Sequence, residues 1–185
     1  MSTKYKATMS DTGYFITITI VGWVDVFARL KQRNVIINAL KYCQKHKGLE
    51  VYAFCIMSSH IHLLCKAKEG FVLSDIMRDF KKHTSKRIIE TIINHPESRR
   101  EWLLGYFQKS CEHLKRNQKY KVWQDGYHAE VCRTNTFIQQ KLRYIHNNPV
   151  KERIVEKPED YLYSSARNYA GLDSELDVLV LNVFK

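Results

Sequence analysis

Residues Gly13 to Val21 read GYFITITIV, an alternation with Ile16, Ile18 and Ile20 on one side and Phe15, Thr17 and Thr19 on the other. Successive strand side chains point to opposite faces, so the run predicts a half-buried strand with its isoleucines inward. From about Lys31 to Lys47 the period lengthens. Val35, Ile36, Ala39, Leu40 and Cys43 fall on one stripe of a helix, basic residues occupy the remainder, and Gly48 supplies a C-terminal stop. Two more strands follow within VYAFCIMSSHIHLLCK, Val51 to Lys66, joined at Ser58-Ser59. Ser74 is placed to cap a second helix reaching about Ile93, with Ile76, Phe80, Thr84 and Ile88 at four-residue steps on its buried face.

After a polar break at His95-Pro96, Glu101 to Lys115 predicts another helix and Arg116 to Lys121 a basic loop. The stretch 96–121 as a whole reads as an insertion. Val122 to Cys132 predicts short extended pieces around a turn at Asp125-Gly126. Thr134 or Asn135 opens a helix expected to stop at or just before Asn148, because a proline disfavours the helical conformation in the residue before it. A short coil and helix from Pro158 to Gly171 and an apolar tail, 172–185, placed to pack back or to pair with a partner strand, complete the chain. The order predicts an α+β fold in a single domain, 1–185 with its core at 13–171. It is an antiparallel sheet with helices on one face, ferredoxin-like in its first half, and with a helical C-terminal half.

Composition narrows the partner. The 185 residues are 44% hydrophobic, and no run approaches the roughly 18 apolar residues of a membrane span. The N-terminus lacks the apolar core of a signal peptide. Five cysteines, an odd number with no CxxC pair, predict free thiols in a reducing cytoplasm. Thirty Lys and Arg against nineteen Asp and Glu leave a net charge of +11, which calls for a polyanion. No segment reads as a basic amphipathic helix able to anchor in a bilayer, so nucleic acid is expected and membrane is not. Arg78, Lys81, Lys82, His83, Lys86 and Arg87 crowd one helix opposed only by Asp79, a pattern that predicts a phosphate-tracking face.

Two groups carry candidate chemistry. His60 and His62 share a strand face, where two imidazoles can hold one divalent cation; taken alone, such a triplet is more often two unrelated histidines. Tyr144 lies roughly 100–120° around its helix from the Ile138, Leu142 and Ile145 stripe. It shares a side with Phe137 and with Asn148, one turn later. A tyrosine so placed is ordinarily one lying at the edge of a core.

Together the two groups look like a family. Met57-Ser58-Ser59-His60-Ile61-His62 with Tyr144-Ile145-His146-Asn147-Asn148-Pro149-Val150-Lys151 resembles the HUH single-tyrosine transposases, most of all their REP-associated branch. Trp123-Gln124, Tyr127-His128 and Tyr163-Ser164-Ser165-Ala166 add to the likeness, which spans about Gly13 to Gly171. Ser58-Ser59 departs from the family's usual Pro-Asn. The resemblance implies an HUH core and metal-dependent cleavage and rejoining of single-stranded DNA, hairpin-bearing, through a 5′-phosphotyrosine. Tyr144 would be the nucleophile, His60, His62 and Asn148 the ligands of Mg²⁺ or Mn²⁺ with Gln140 in reserve, and Arg78, Lys81, Lys82, Lys86 and Arg87 the DNA contacts. Relatives include homodimers and monomers, so a homodimer is one expected form. Two other readings compete: a rolling-circle initiator or relaxase, and a catalytically silent nucleic-acid-binding module. His128 receives no role, and His146 is not expected to be a ligand.

Overall fold

The structure, a computed structural model, describes residues 13–112 and 118–182. The end of the helix expected to reach Lys115, the start of the basic loop at Arg116 and the last three residues of the tail lie outside these. Four strands, β1 (Tyr14–Thr19), β2 (Leu49–Ile56), β3 (His60–Ala67) and β4 (His128–Val131), form one sheet in the order β2-β3-β1-β4. The β1–β3, β1–β4 and β2–β3 ladders are all antiparallel. With α1 (Leu30–His46) between β1 and β2, and α2 (Leu73–Asn94) between β3 and β4, this is the expected ferredoxin-like plan.

The Ile16, Ile18 and Ile20 side of β1 is fully buried. Trp123 bridges to Ile20 and therefore faces the same way, and its Nε1 donates to Thr84 of α2 at 3.0 Å. This places α2, with α1 packed on it, over the isoleucine face. The opposite face is covered by α4 (Asn135–Lys151), whose Tyr144 meets Phe15. Phe15 is only 3% exposed as a result, so β1 is buried on both faces rather than half-buried.

Several boundaries differ from expectation. Ser74 does not cap α2: the cap position is Val72, and Ser74 sits inside the first turn. The third helix, α3 (Arg100–Lys109), turns Leu103 and Phe107 into the core and packs on α2. Thr134 does cap α4, its side chain accepting from the Phe137 N–H. Pro149 does not stop that helix. The proline removes one backbone donor, but it sits in the last turn, is buried, and the Glu152 N–H still reaches the Asn148 carbonyl. The true stop is Arg153 in the left-handed conformation, φ 57°. Its N–H bonds to Val150 O and the next, Ile154, to Pro149 O, the pairing that usually closes around a glycine.

The C-terminal segment extends the sheet at the free edge of β2. Ile56 N–H donates to Tyr163 O and Ser165 N–H to Phe54 O; farther along, Leu179 N–H reaches Val51 O. Leu176 is fully buried, so the tail packs back on its own chain. The short helix α5 (Ala166–Tyr169) lies between these contacts. The five cysteines are unpaired, as expected.

Candidate active site

The turn at Ser58-Ser59 is pinned by its carbonyls, which accept from Phe27 N–H and Ile20 N–H. β3 therefore begins in a fixed register, with His60 opposite Thr19 and His62 opposite Thr17. Directly opposed residues of an antiparallel pair share a face. His60 and His62 consequently project with Phe15, Thr17 and Thr19 toward α4, their rings 4.7 Å apart between centroids. Nδ1 of His62 lies 3.0 Å from Thr17 Oγ1, and Nδ1 of His60 lies 3.2 Å from Ser59 Oγ. His62 is 3% exposed, and its Nε2 is buried without a hydrogen-bond partner.

Both imidazoles are held neutral. Burial, with the neighbouring His60 ring and the Lys141 ammonium, pushes His62 down to about 3. Burial lowers His60 as well, against the opposing pull of the Glu152 carboxylate. A neutral imidazole with an open lone pair is the form that ligates a metal.

From the other side, α4 presents Tyr144. Its ring stands edge-on to His62 at 5.1 Å and to Phe15 at 5.8 Å. Phe137, expected beside it, instead shares a cation with it: the Lys141 ammonium lies 4.3 Å from the Phe15 centroid, 5.0 Å from Phe137 and 6.0 Å from Tyr144. Lys151 sits 5.4 Å from the Tyr144 ring. Tyr144 thus meets His62 while Glu152, two turns on, acts on His60. Asn148 lies between them on the same helix, 7% exposed, its Nδ2 donating to Tyr144 O. Gln140, one turn before Tyr144, is exposed.

Sequence reasoning missed Thr17, Phe15 and Lys141. Lys141 is three residues before Tyr144 and so on its side of the helix, a spacing that could have found it. The partnership of Thr17 with His62 depends on strand register across 45 residues and has no local signal. His128 lies opposite Thr17 on β4, at the margin of the same face, and contacts Glu130, 3.2 Å away. Burial alone would raise the Glu130 carboxyl, but Lys141 and His128 hold it below the usual range. His146 points away, bonded to Ser165 Oγ at 2.9 Å and packed on Tyr169, as its place near the apolar stripe suggested.

The basic helix is less uniform than its sequence. Lys81 turns inward and donates to the Gln124 and Gly126 carbonyls, and burial lowers it to about 8. Arg78 pairs with Asp75 and Asp79, and Arg87 and Lys86 with Glu90, so three acids oppose this face rather than one. Lys82 and Lys86 are exposed along a groove shared with Lys119 and Tyr120.

The family model described as Transposase IS200 like matches residues 24–118. A Haemophilus influenzae protein named as a REP-associated tyrosine transposase is 29% identical over 167 residues, which cover 88% of this chain and 84% of its own. A solved REP-associated tyrosine transposase, bound to a REP hairpin, shares the fold with a TM-score of 0.65 at 19% identity, over 100% of this chain and 98% of its own. The family match takes in more than half of the residues, His60 and His62 among them, and on that ground the chain belongs to the IS200-like transposase family.

Proposed function

We propose that this chain cuts and rejoins single-stranded DNA, with Tyr144 as the nucleophile and a divalent cation held by His60, His62 and Asn148. The observation that carries the reading is the approach of the Tyr144 ring to His62, whose Nε2 is buried and unpartnered. A buried polar atom without a partner is costly, and a ligand site is one reason to keep it. In the tautomer whose Nδ1 donates to Thr17 Oγ1, the His62 Nε2 is a bare lone pair and the ring is fixed, as outer-shell partners fix ligating histidines. Among the described residues no three His, Cys, Asp or Glu converge, and an amide oxygen is a group that can complete a set begun by two imidazoles. Asn148, its Nδ2 turned to Tyr144 O, has Oδ1 for that purpose. Two imidazoles and one amide oxygen suit Mn²⁺ better than Mg²⁺.

A cation bound there would polarise a phosphate oxygen and stabilise the leaving 3′ oxygen. The chain's own part is positional. The Phe15 and His62 rings brace the Tyr144 ring, and the Lys141 and Lys151 ammonium groups flank the space a phosphate would occupy. Attack of the Tyr144 oxygen on phosphorus breaks the P–O3′ bond. The phenol proton is released, the 3′ oxygen gains one, and the 5′-phosphate stays on the tyrosine until rejoining. The REP-associated relative solved with a hairpin favours a hairpin-bearing strand as substrate. The test is a denaturation-resistant protein–DNA adduct mapped by peptide mass to Tyr144; an adduct on another tyrosine would move the site.

One chain holds both halves of the site, so a mixture of His60→Ala and Tyr144→Phe proteins should stay inactive. Recovered cleavage would mean that the tyrosine helix works on a second copy. Affinity for single-stranded DNA should fall with salt at a log–log slope of about −0.7 per phosphate neutralised. Lys82→Glu with Lys86→Glu should flatten that slope. Lys81→Met should leave it unchanged and lower stability, because its ammonium is committed to two carbonyls. A slope as sensitive to Lys81 as to Lys82 would restore the uniform phosphate face.

A further inference from the structure

Trp23 is 59% exposed, yet it stands edge-on to His60 with ring centroids 5.4 Å apart. Its backbone lies in the left-handed region, φ 58°, directly after Gly22 at φ 61°. Glycine adopts that conformation freely, but a bulky side chain rarely does and is strained there. Gly22 has a packing reason as well: a Cβ at that position would overlap the Tyr106 hydroxyl. Trp23 keeps the same conformation with its side chain turned out to solvent, beside the buried Val21, Val24, Val26 and Phe27. Strain kept at an exposed position beside a reactive centre is a reason to look for a ligand.

The aromatic surface continues outward from Trp23. Tyr106, beneath Gly22, stacks on Trp102 at 5.6 Å and 27° between ring planes, and Trp102 is itself 53% exposed. Both exposed indoles belong to a chain of net charge +11. Exposed aromatic faces interleaved with positive charge are how proteins hold single-stranded nucleic acid, because every base has a π-face to offer. A duplex keeps those faces stacked on one another and has none to give.

Resting on the strand-cutting reading above, we propose that Trp23 is the stacking platform for the base adjoining the phosphate to be cut, and that Trp102 and Tyr106 receive bases farther along the same strand. His60 is the wall between the platform and the reacting phosphate. The indole therefore sets where along the strand Tyr144 attacks, and it favours an unpaired substrate.

The test uses the full chain carrying Tyr144→Phe, so that binding is measured without cutting, with labelled oligo-dT, a mixed-sequence single strand and the matching duplex as probes. Trp23→Ala and Trp23→Gly should weaken both single strands roughly tenfold and the duplex far less, and Trp23→Phe should restore most of the loss. Trp23→Gly should melt no lower than its parent, because glycine relieves the left-handed strain. A merely structural indole predicts the reverse, lower melting with affinity unchanged. The proposal is overturned if Trp23→Gly binds single strands as tightly as its parent, if duplex binding falls equally, or if the parent does not bind oligo-dT. These outcomes are separate from those of the cutting reading: a Tyr144 adduct with no effect of Trp23→Gly removes the platform alone, and lost affinity without any adduct removes the chemistry alone.

Discussion

Tyr144→Phe is expected to abolish strand cleavage, by roughly three orders of magnitude or more, together with the covalent adduct. The size follows from the chemistry: the phenol oxygen is the atom that would bond to phosphorus, and nothing on α4 replaces it, since one turn either side stand Gln140 and Asn148. Ionising an ordinary phenol at pH 7 already costs on the order of 4 kcal/mol, so the site has to supply much for a tyrosine and could supply nothing to a phenyl ring. The substitution should otherwise be silent. The ring keeps its edge-on contacts with Phe15 and His62, and at 39% exposure the lost hydroxyl leaves no buried partner behind. Melting temperature and affinity for single-stranded DNA should match the wild type. Cleavage by the phenylalanine protein, with the adduct gone, would make water the nucleophile and the chain a nuclease.

The second large effect is loss of the cation. His60→Ala should lower cleavage by on the order of 10³-fold, and chelation of the wild type should do the same. A cation that binds only the folded chain also raises its melting temperature, by about 2.7 kcal/mol in stability at a hundred times its Kd. Mn²⁺ should therefore stabilise the wild type and Tyr144→Phe, but not His60→Ala. His60 is the cleaner variant because its ring is partly exposed, whereas His62 lies between Phe15 and Tyr144 at 3% exposure. His62→Ala would open a cavity there, costing about 1–3 kcal/mol less whatever is regained by deleting an unpartnered nitrogen. The face that carries His62 lies opposite the isoleucine core, but α4 buries it, so the substitution is not silent in stability. Cutting at the wild-type rate by His60→Ala, or an undiminished Mn²⁺ shift, would remove the metal from the mechanism.

The alternations and periods of the chain determined the strands, the first two helices and the antiparallel plan, because a residue's inward or outward direction within one element is a local matter. Local chemistry also placed His60 and His62 on one face, and Thr134 at the start of the tyrosine helix. What only the tertiary structure decided involves a second element every time. Pro149 reads locally as a stop, yet it is buried within the helix, which runs on to Lys151 and closes only at the left-handed Arg153, and this keeps Asn148 one helical turn from Tyr144. Lys81 reads as one more phosphate contact until the Gln124 and Gly126 carbonyls claim it. Register across β1 and β3 pairs Thr17 with His62, and the crossing of α4 over that face buries His62 and brings Tyr144 to it from 82 residues away. A contact between distant segments depends on their relative placement, and neither segment's own pattern of side chains contains that placement.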